Sequence, residues 1–416
     1  MEYRANNVTL LANWPHDSQL CPADGETRMP SPKYRQVALL IDTATDWGRR
    51  MIRGIGRYAR QQGGWDLWLE QRCQYAPGRL PPGWRGDGII ARVADRAMAR
   101  HLAHAHGHVV NVSTARVPGA DFPTVTSDLQ AAAKLAIGHL LDQGFRNFAY
   151  YAPMNLSFVE DHHHSFVQTL AKLGHSCALM HAPGGKRPGK QWQKAQKELE
   201  RWIRDLPKPV AVLTWTGRRG REVIYACRAL ELSVPEQVAV LGADDDTLLC
   251  ESCNPPLSGV ALTSEQIGFE AASLLDRMLH GAKTPVKPRL IAPDRIIVRQ
   301  STDTLAIDDE DIARAIAFIR MNASSPIQVG DVLRAVHVSR RSLDRRFQQV
   351  LGRTPAEEIR RVHLERAKQL LADSDMPVPD VAAASGYGSR EYLARAFKQE
   401  TSLSPRQYRN RIQGRI

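Results

Sequence analysis

The chain has few cysteines, few aromatic residues and no long apolar run. Its 416 residues include six cysteines and 6% aromatic residues, and cysteines this scattered exclude the disulfide framework of a small secreted domain. No apolar run approaches the roughly 18 residues that a membrane span requires. No charged-then-apolar leader opens the chain. Together these absences predict a cytoplasmic protein without a membrane partner.

Signatures of catalysis and metal binding are also missing. The sequence contains no G-x-S-x-G, P-loop or H-E-x-x-H motif. The pair in "CESC" (250–253) lacks a second Cys or His set, and the three histidines at 162–164 would splay about 100° apart on a helix. We therefore predict no catalytic residues, no metal and no cofactor. The rival hypothesis of a DNA-repair enzyme needs a nucleophilic cysteine in a characteristic setting, and none of the six has one.

Basic residues are what the chain has in excess. It carries 56 Lys+Arg against 44 Asp+Glu, a formal net charge of +12. The excess is densest at the end, where residues 326–416 hold 17 Lys+Arg and 10 Asp+Glu. A basic excess indicates an anionic partner. Since the composition argues against a membrane, double-stranded DNA is the predicted partner.

Three regions follow one another along the chain. Residues 1–33 mix polar, Pro and Gly residues without a period and predict a flexible lead-in. In 34–300, short apolar runs such as "QVALLID" (36–42) alternate with helical stretches. This alternation predicts an α/β domain with parallel, doubly wound sheets. The remainder, 301–416, predicts an all-α domain.

Two predicted strands of the α/β domain end in carboxylates. "VAVLGADDD" (238–246) places Asp244 after a strand, and "FPTVTSD" places Asp128 after another. Ligands of doubly wound sheets bind at these strand ends, where a carboxylate can accept hydrogen bonds from sugar hydroxyls. For Asp128 the alternative is that it only caps the following helix. Trp47 and Trp215 can stack on a sugar ring, although a tryptophan at such positions is about as often part of the core.

The end of the chain contains the same pattern twice. "SRRSLDRRFQQVLGRTP" (339–355) returns as "SREYLARAFKQETSLSP" (389–405). Each copy predicts a helix-turn-helix unit whose second helix is capped by Ser339 or Ser389. The spacing of four residues between Leu and Phe in each copy gives that helix one apolar face. A rigid helix is predicted between the copies, so one chain would present two DNA-reading helices.

The opposite faces of these two helices are polar. The side chains predicted to read bases are Arg341, Arg345 and Gln348 in the first copy and Glu391, Arg395 and Lys398 in the second. Those predicted to contact the DNA backbone are Ser339, Arg340, Arg346, Arg361, Ser389 and Arg390. Because the reading sets differ, we expect two unequal half-sites, roughly 34 Å or one helical turn apart.

The repeated motifs "SLDRRF…GRTP" and "VAAASGYGSREYLARAFK…LSPRQYR" resemble the double helix-turn-helix domain of the arabinose-regulator (AraC) family. The resemblance covers roughly 305–413. Two residues depart from the family pattern: His337 stands for the usual turn glycine, and Ser402 stands where glycine usually follows the second reading helix. Because these turns favour positive φ, both departures predict a cost in stability.

The preceding region resembles the periplasmic-binding-protein-like sensor of the lactose-repressor type, best in "VAVLGADDD…PPLSGVALTSEQIGFEAASLL". This resemblance implies two lobes with a monosaccharide effector between them and a homodimer formed through the sensor; RNA polymerase is a further candidate partner. It places Asp244 on the sugar-binding aspartate and Asp128 on the strand-end aspartate. His162 stands where such sensors commonly carry an arginine, and Gly217 stands near a usual aspartate.

Together the two resemblances imply a DNA-binding regulator of a sugar (xylose-like) utilisation operon. The altered pocket residues leave an alternative open, in which the sensor is degenerate and the regulator binds DNA without a sugar effector.

Overall fold

The computed structural model describes residues 34–69, 79–153, 156–183, 190–303 and 309–412. The predicted lead-in, residues 1–33, lies outside them. No helix within the described ranges is long and apolar enough to cross a membrane.

The first lobe is a parallel four-stranded sheet with helices on both faces. Its elements, followed by a short strand that leads out of it, are β1 (Arg35–Leu40), α1 (Asp46–Gln62), β2 (Trp65–Leu69), β3 (Gly88–Ala91), α2 (Arg96–Ala103), β4 (His108–Asn111) and β5 (Val125–Ser127). The strand order is β2-β1-β3-β4. Because both faces are covered, residues 37–40 of β1 and all of β3 are apolar and buried.

The second lobe is a larger, six-stranded sheet that is parallel except for its last strand in sequence, an antiparallel edge strand. The elements from its start to the end of the sensor are α3 (Leu129–Asp142), β6 (Asn147–Ala152), α4 (Ser157–Lys172), β7 (Cys177–His181), α5 (Lys190–Asp205), β8 (Val210–Thr214), α6 (Gly217–Ala229), β9 (Val238–Gly242), α7 (Thr247–Glu251), β10 (Ser258–Val260), α8 (Ser264–Leu279), β11 (Arg289–Ile291) and β12 (Ile296–Ile297). The strand order in this sheet is β12-β10-β9-β8-β6-β7. The predicted class of parallel, doubly wound α/β sheets is confirmed.

The chain crosses between the lobes and returns. Helix α8 packs on α1 of the first lobe at very short range: an added Cβ at Gly54 would lie 1.9 Å from the Glu265 carbonyl oxygen, and one at Gly268 would lie 2.0 Å from that of Met51. Strand β11 then pairs with β5. These crossings join the two lobes into one sensor with a cleft between them.

The sensor extends slightly beyond the predicted boundary at residue 300. Ser301 is fully buried, accepts a hydrogen bond from the Ser258 backbone N–H at 2.8 Å and donates one to the Val240 carbonyl at 2.6 Å. Thr302 is also buried and donates to the Ser258 hydroxyl at 2.7 Å. The division between the domains therefore falls after Thr302, because both side chains complete the second lobe.

The tail is all helical. Its elements are α9 (Glu310–Met321), α10 (Val329–Val336), α11 (Arg340–Leu351), α12 (Pro355–Asp373), α13 (Val378–Ala384), α14 (Arg390–Thr401) and α15 (Pro405–Ile412). Helix α12 contributes Ile359 and Val362 to one apolar core and Leu364 and Leu371 to a second. One long helix therefore fixes two helix-turn-helix units relative to each other, and the predicted double unit is confirmed.

Candidate DNA-reading helices and ligand cleft

The first reading helix, α11, begins at a serine cap and turns a polar face outward. The Ser339 hydroxyl accepts a hydrogen bond from the Ser342 backbone N–H at 3.3 Å. Leu343 and Phe347 are fully buried in the core of the first unit. The three residues predicted to read bases are exposed: Arg341, Arg345 and Gln348.

The second reading helix, α14, has the same construction. The Ser389 hydroxyl accepts from the Tyr392 N–H at 3.2 Å, and Leu393 and Phe397 are fully buried. Its three predicted base-reading residues are exposed as well: Glu391, Arg395 and Lys398. Both helices can therefore approach a duplex without first rearranging their own units.

The turns before and after these helices have the backbone that the sequence predicts. His337 ends α10 with φ 56°, Ser402 ends α14 with φ 59°, and Gly386 takes φ 73° in the second turn. At Gly386 a side chain would also have no space, since an added Cβ would lie 2.6 Å from His363 Nε2. His337 and Ser402 thus occupy left-handed positions where glycine is less costly.

The residues predicted to contact the DNA backbone divide into an exposed group and an ion-paired group. Ser339, Arg340, Ser389 and Arg390 are exposed. Arg346, by contrast, donates from Nε to Asp309 Oδ2 at 2.6 Å and from Nη1 to Asp311 Oδ2 at 3.0 Å. Arg361 is bound to Glu358, with Nη2 donating to Oε1 at 2.7 Å. These two arginines reach phosphates only if their present ion pairs open, a difference that the sequence pattern could not reveal.

The two predicted ligand carboxylates both lie at strand ends. Asp128 Oδ1 accepts from the Ala131 N–H at 2.9 Å, so it caps α3, and one oxygen is engaged in that role. Asp244 Oδ1 accepts from the Gly217 N–H at 3.0 Å. Burial raises the pKa of Asp244 to about 7, with the neighbouring carboxylates of the same loop acting in the same direction. Asp244 is therefore poised between its neutral and ionised forms.

His162 lies on α4 of the second lobe. It is 1% exposed, and its Nδ1 lies 2.7 Å from the Tyr150 hydroxyl. Burial lowers its pKa to about 4, so the ring is neutral at physiological pH. Trp215 packs against His162 at 5.4 Å and against Phe158 at 5.6 Å between ring centroids. His162 and Trp215 therefore form one aromatic wall on the second lobe.

Arg92 connects this wall to the first lobe. Its guanidinium carbon lies 5.5 Å from the ring centroids of both Trp47 and Phe158. Its Nη1 donates to Asp42 Oδ2 at 3.1 Å. Burial lowers the pKa of Arg92, while the charge of Asp42 opposes that shift. The cleft thus holds a partly accessible cation sandwiched between one aromatic ring from each lobe.

The sequence analysis missed Asp42 and Arg92, although a signal for them exists. Asp42 follows β1 and Arg92 follows β3, as Asp244 follows β9. The rule that ligands bind at the carboxyl ends of parallel strands applies equally to all three. The lobes also touch nearby, where Arg50 Nη2 donates to Thr247 Oγ1 at 2.8 Å.

The cysteine pair at 250–253 and the histidines at 162–164 do not form a metal site in the described structure. Cys250 and Cys253 are both buried, and burial raises the pKa of each thiol. His162 faces Tyr150, and within the ranges that the structure describes no group of three metal-binding side chains comes together.

Comparison with known families matches the architecture region by region. The profile of the XylR N-terminal domain matches residues 36–129, that of a periplasmic binding protein-like domain matches 137–302, and that of a helix-turn-helix domain matches 332–411. The chain thus combines a periplasmic-binding-protein-like sensor with a helix-turn-helix domain, the two parts that the sequence motifs also indicate. By its similarity to transcriptional regulators over nearly its whole length, it is a sugar-responsive operon regulator that binds DNA, and it is not an enzyme.

Similar regulators span nearly the same length. The xylose operon regulatory protein of Escherichia coli (strain K12) is 29% identical over 385 residues, which cover 91% of this chain and 97% of that protein. The protein of the same name from Haemophilus influenzae is also 29% identical, over 91% of this chain and 98% of its own. A solved structure of the xylose-binding transcription activator XylR superposes with a TM-score of 0.59 at 28% identity, covering 91% of this chain and 98% of that one.

Proposed function

We propose that this regulator reads two half-sites of DNA with α11 and α14 and responds to a xylose-like monosaccharide held between the sensor lobes. The observation that carries the DNA part is the pair of serine-capped helices, each with its apolar face buried and its polar face exposed. Exposed arginine, glutamine and glutamate side chains match the hydrogen-bonding edges of guanine, adenine and cytosine in the major groove.

The two half-sites are proposed to differ in sequence. Arg345 and Arg395 occupy equivalent positions, but Arg341 corresponds to Glu391. An arginine prefers guanine, whereas a glutamate accepts from cytosine N4. Since α12 belongs to both apolar cores, the spacing between the readers is fixed within the chain. A single polypeptide would then recognise an asymmetric site. The centres of its two half-sites would lie one helical turn apart, or about 34 Å.

The ligand is proposed to be a neutral sugar. Asp42, Asp128 and Asp244 offer acceptors for hydroxyl groups, and Trp47 offers an apolar ring face. The one cation of this set, Arg92, is already paired with Asp42. An anionic sugar would therefore meet more carboxylate than cation. The names of the relatives support xylose as the first candidate to test.

A thermal-shift screen of the purified chain with D-xylose, L-arabinose, D-ribose and D-glucose tests the sensor. A ligand present at 100 times its dissociation constant stabilises the folded state by about 2.7 kcal/mol. We expect a concentration-dependent rise of the melting temperature with one pentose. The absence of any rise with all four sugars would overturn the xylose-like assignment.

One observation favours a second candidate, a sensor without a sugar effector. Asp128 is engaged in capping α3, and His162 is buried against Tyr150 instead of presenting the two-pronged donor of an arginine. The screen separates the two candidates when operator binding is followed in parallel: a degenerate sensor leaves the operator affinity unchanged by every sugar.

We further propose that the regulator acts in the cytoplasm, forms a homodimer through its sensor and contacts RNA polymerase. The domain similarity supports this arrangement. Sedimentation of the full chain tests the dimer.

A further inference from the structure

Helix α3 begins at Asp128, one of the proposed ligand contacts, and ends beside the DNA-binding tail. Asp128 follows β5 and caps the first turn of the helix, and the last residue of the helix is Asp142. Fourteen residues of α-helix span about 21 Å, because each residue rises about 1.5 Å. One rigid element therefore has a candidate sugar contact at one end and, at the other, a carboxylate facing the tail.

Asp142 binds two arginines of the tail. Its Oδ1 lies 2.5 Å from Arg353 Nη1, and its Oδ2 lies 3.1 Å from Arg361 Nη1. Both arginines also bind Glu358, Arg353 at 2.6 Å and Arg361 at 2.7 Å. Glu358 is fully buried; burial would raise its pKa, but the hydrogen bonds and charges of Arg361 and Arg353 hold it below its usual range. Two carboxylates, one from each domain, thus share two arginines.

Further contacts fix the same junction. Arg320 of α9 donates from Nη1 to the Gln143 side chain at 2.7 Å. Arg146 of the sensor donates to the carbonyl of Val350, in the last turn of the first reading helix. His139, one turn before Asp142 on α3, lies 2.9 Å from the Thr302 hydroxyl; burial and then the charges of Arg320 and Arg361 lower its pKa to about 3. The junction is therefore an arginine–carboxylate cluster beside a neutral histidine.

We propose that Asp142 is a positioning residue that holds the first reading helix, α11, in a defined orientation on the sensor and couples it to α3. Arginine–carboxylate pairs of this kind are directional, so the cluster favours one arrangement over a range of loose ones. If α3 shifts at the cleft, Asp142 moves with it, and the cluster must follow or break. The DNA side of this coupling needs only the tail and α3, whereas its sugar side rests on the ligand site proposed above.

Coupling between two sites is reciprocal, so DNA can serve as the probe in place of the unidentified effector. The experiment compares hydrogen exchange of the full chain with and without a DNA duplex selected in vitro by the wild-type chain. In the wild type, we expect the duplex to protect α11 and α14 and to change exchange in the last two turns of α3 by about threefold or more.

Asp142→Asn keeps the size of the side chain and removes its charge. This variant is expected to retain DNA protection of α11 and α14 but to lose the response of α3. The matched control is Asp373→Asn, because Asp373 pairs with sensor residue Arg295 at 2.6 Å and joins the same two domains at an exposed position. The control should keep the wild-type response. A protein in which Asp142 only stabilised the fold would show uniform loss of protection instead.

Three results would overturn the proposal. The first is an α3 response that is equal in the wild type and in Asp142→Asn, and the second is no α3 response in a wild type whose α11 is protected. If Asp142→Asn fails to bind the duplex, Arg353→Gln breaks the same pair from the tail side and is judged by the same criterion. The third result is loss of DNA binding in both Asp142→Asn and Arg353→Gln, since the cluster would then be needed for folding. Titration with D-xylose, followed by tryptophan fluorescence, tests the proposed sugar site separately from all three.

Discussion

Two neighbouring arginines of α11 are expected to respond to the same substitution in opposite ways. Arg345 is exposed, and its side chain has no hydrogen-bond or ion-pair partner within the described part of the chain. Arg345→Ala should therefore change the free energy of unfolding by no more than about 0.5 kcal/mol. If Arg345 pairs with guanine, its loss should cost about 1–3 kcal/mol of discrimination at one base pair. That range corresponds to about 5- to 150-fold in affinity.

Arg346 is the internal control, since it lies one residue away with its guanidinium bound to Asp309 and Asp311. Its side chain is 24% exposed. Arg346→Ala would leave two carboxylates together, and we expect a loss of about 1 kcal/mol in stability with little change in base preference.

The assay combines urea unfolding with footprinting and competition on a selected duplex. Arg345→Ala should lose protection in one half-site, and Arg395→Ala should lose it in the other, about one helical turn away. Loss of the same half-site in both variants would refute the assignment of α11 and α14 to separate half-sites. A large loss of stability in Arg345→Ala would show that the Arg345 side chain does make stabilising contacts within the chain.

The remaining predictions concern the cleft and the turns. Asp244→Ala should abolish the sugar response and leave DNA affinity intact. Because the ionised carboxylate accepts more strongly from hydroxyls than the neutral acid does, sugar affinity in the wild type should be highest above pH 7 and fall as the pH drops below that value. The raised pKa also means that Asp244 stabilises the fold below its ordinary pKa near 4 and that this contribution is lost as the pH rises through about 7, which a pH series of unfolding curves checks. Arg92→Ala removes the cation that lies between Trp47 and Phe158 and should weaken sugar binding by about tenfold or more in calorimetry; unchanged affinity would contradict a role of Arg92 in sugar binding. His337→Gly and Ser402→Gly should each stabilise the tail by about 0.5–1 kcal/mol, since both residues have positive φ; a loss of stability in denaturant titrations would contradict that account.

The local features of the tail could be predicted because they depend on neighbours in sequence. The serine caps, the four-residue spacing of Leu343 and Phe347 and the left-handed turns at His337 and Ser402 are all set within a few residues. The helix–strand alternation of the sensor is equally local, and it predicted the parallel sheets. The antiparallel edge strand β12 escaped prediction because two residues give no periodic signal.

The pairing of charged groups could not be predicted in the same way. Arg346 and Arg361 are basic residues of the tail like Arg340, and no sequence pattern separates them. Arg340 meets Asp344 of its own helix, at 3.7 Å, whereas Arg346 and Arg361 meet carboxylates from other helices. One of these, Asp142, lies more than two hundred residues away in sequence. Arg92 is an intermediate case, because the strand-end rule points to its position but not to the aromatic rings on either side.

The ion pairs of these arginines change how the net charge of the tail is interpreted. The excess of basic residues in 326–416 indicated DNA, yet three of its arginines are engaged by carboxylates that lie on other helices: Arg346, Arg353 and Arg361. Two of these meet a carboxylate supplied by the sensor. If the sensor moves so that Asp142 withdraws, Arg353 and Arg361 keep only Glu358 of this cluster as a carboxylate partner, and we expect the local positive charge of the tail to rise. Because a carboxylate and a DNA phosphate compete for the same guanidinium, the proposed role of Asp142 would also let the sensor adjust the charge of the tail.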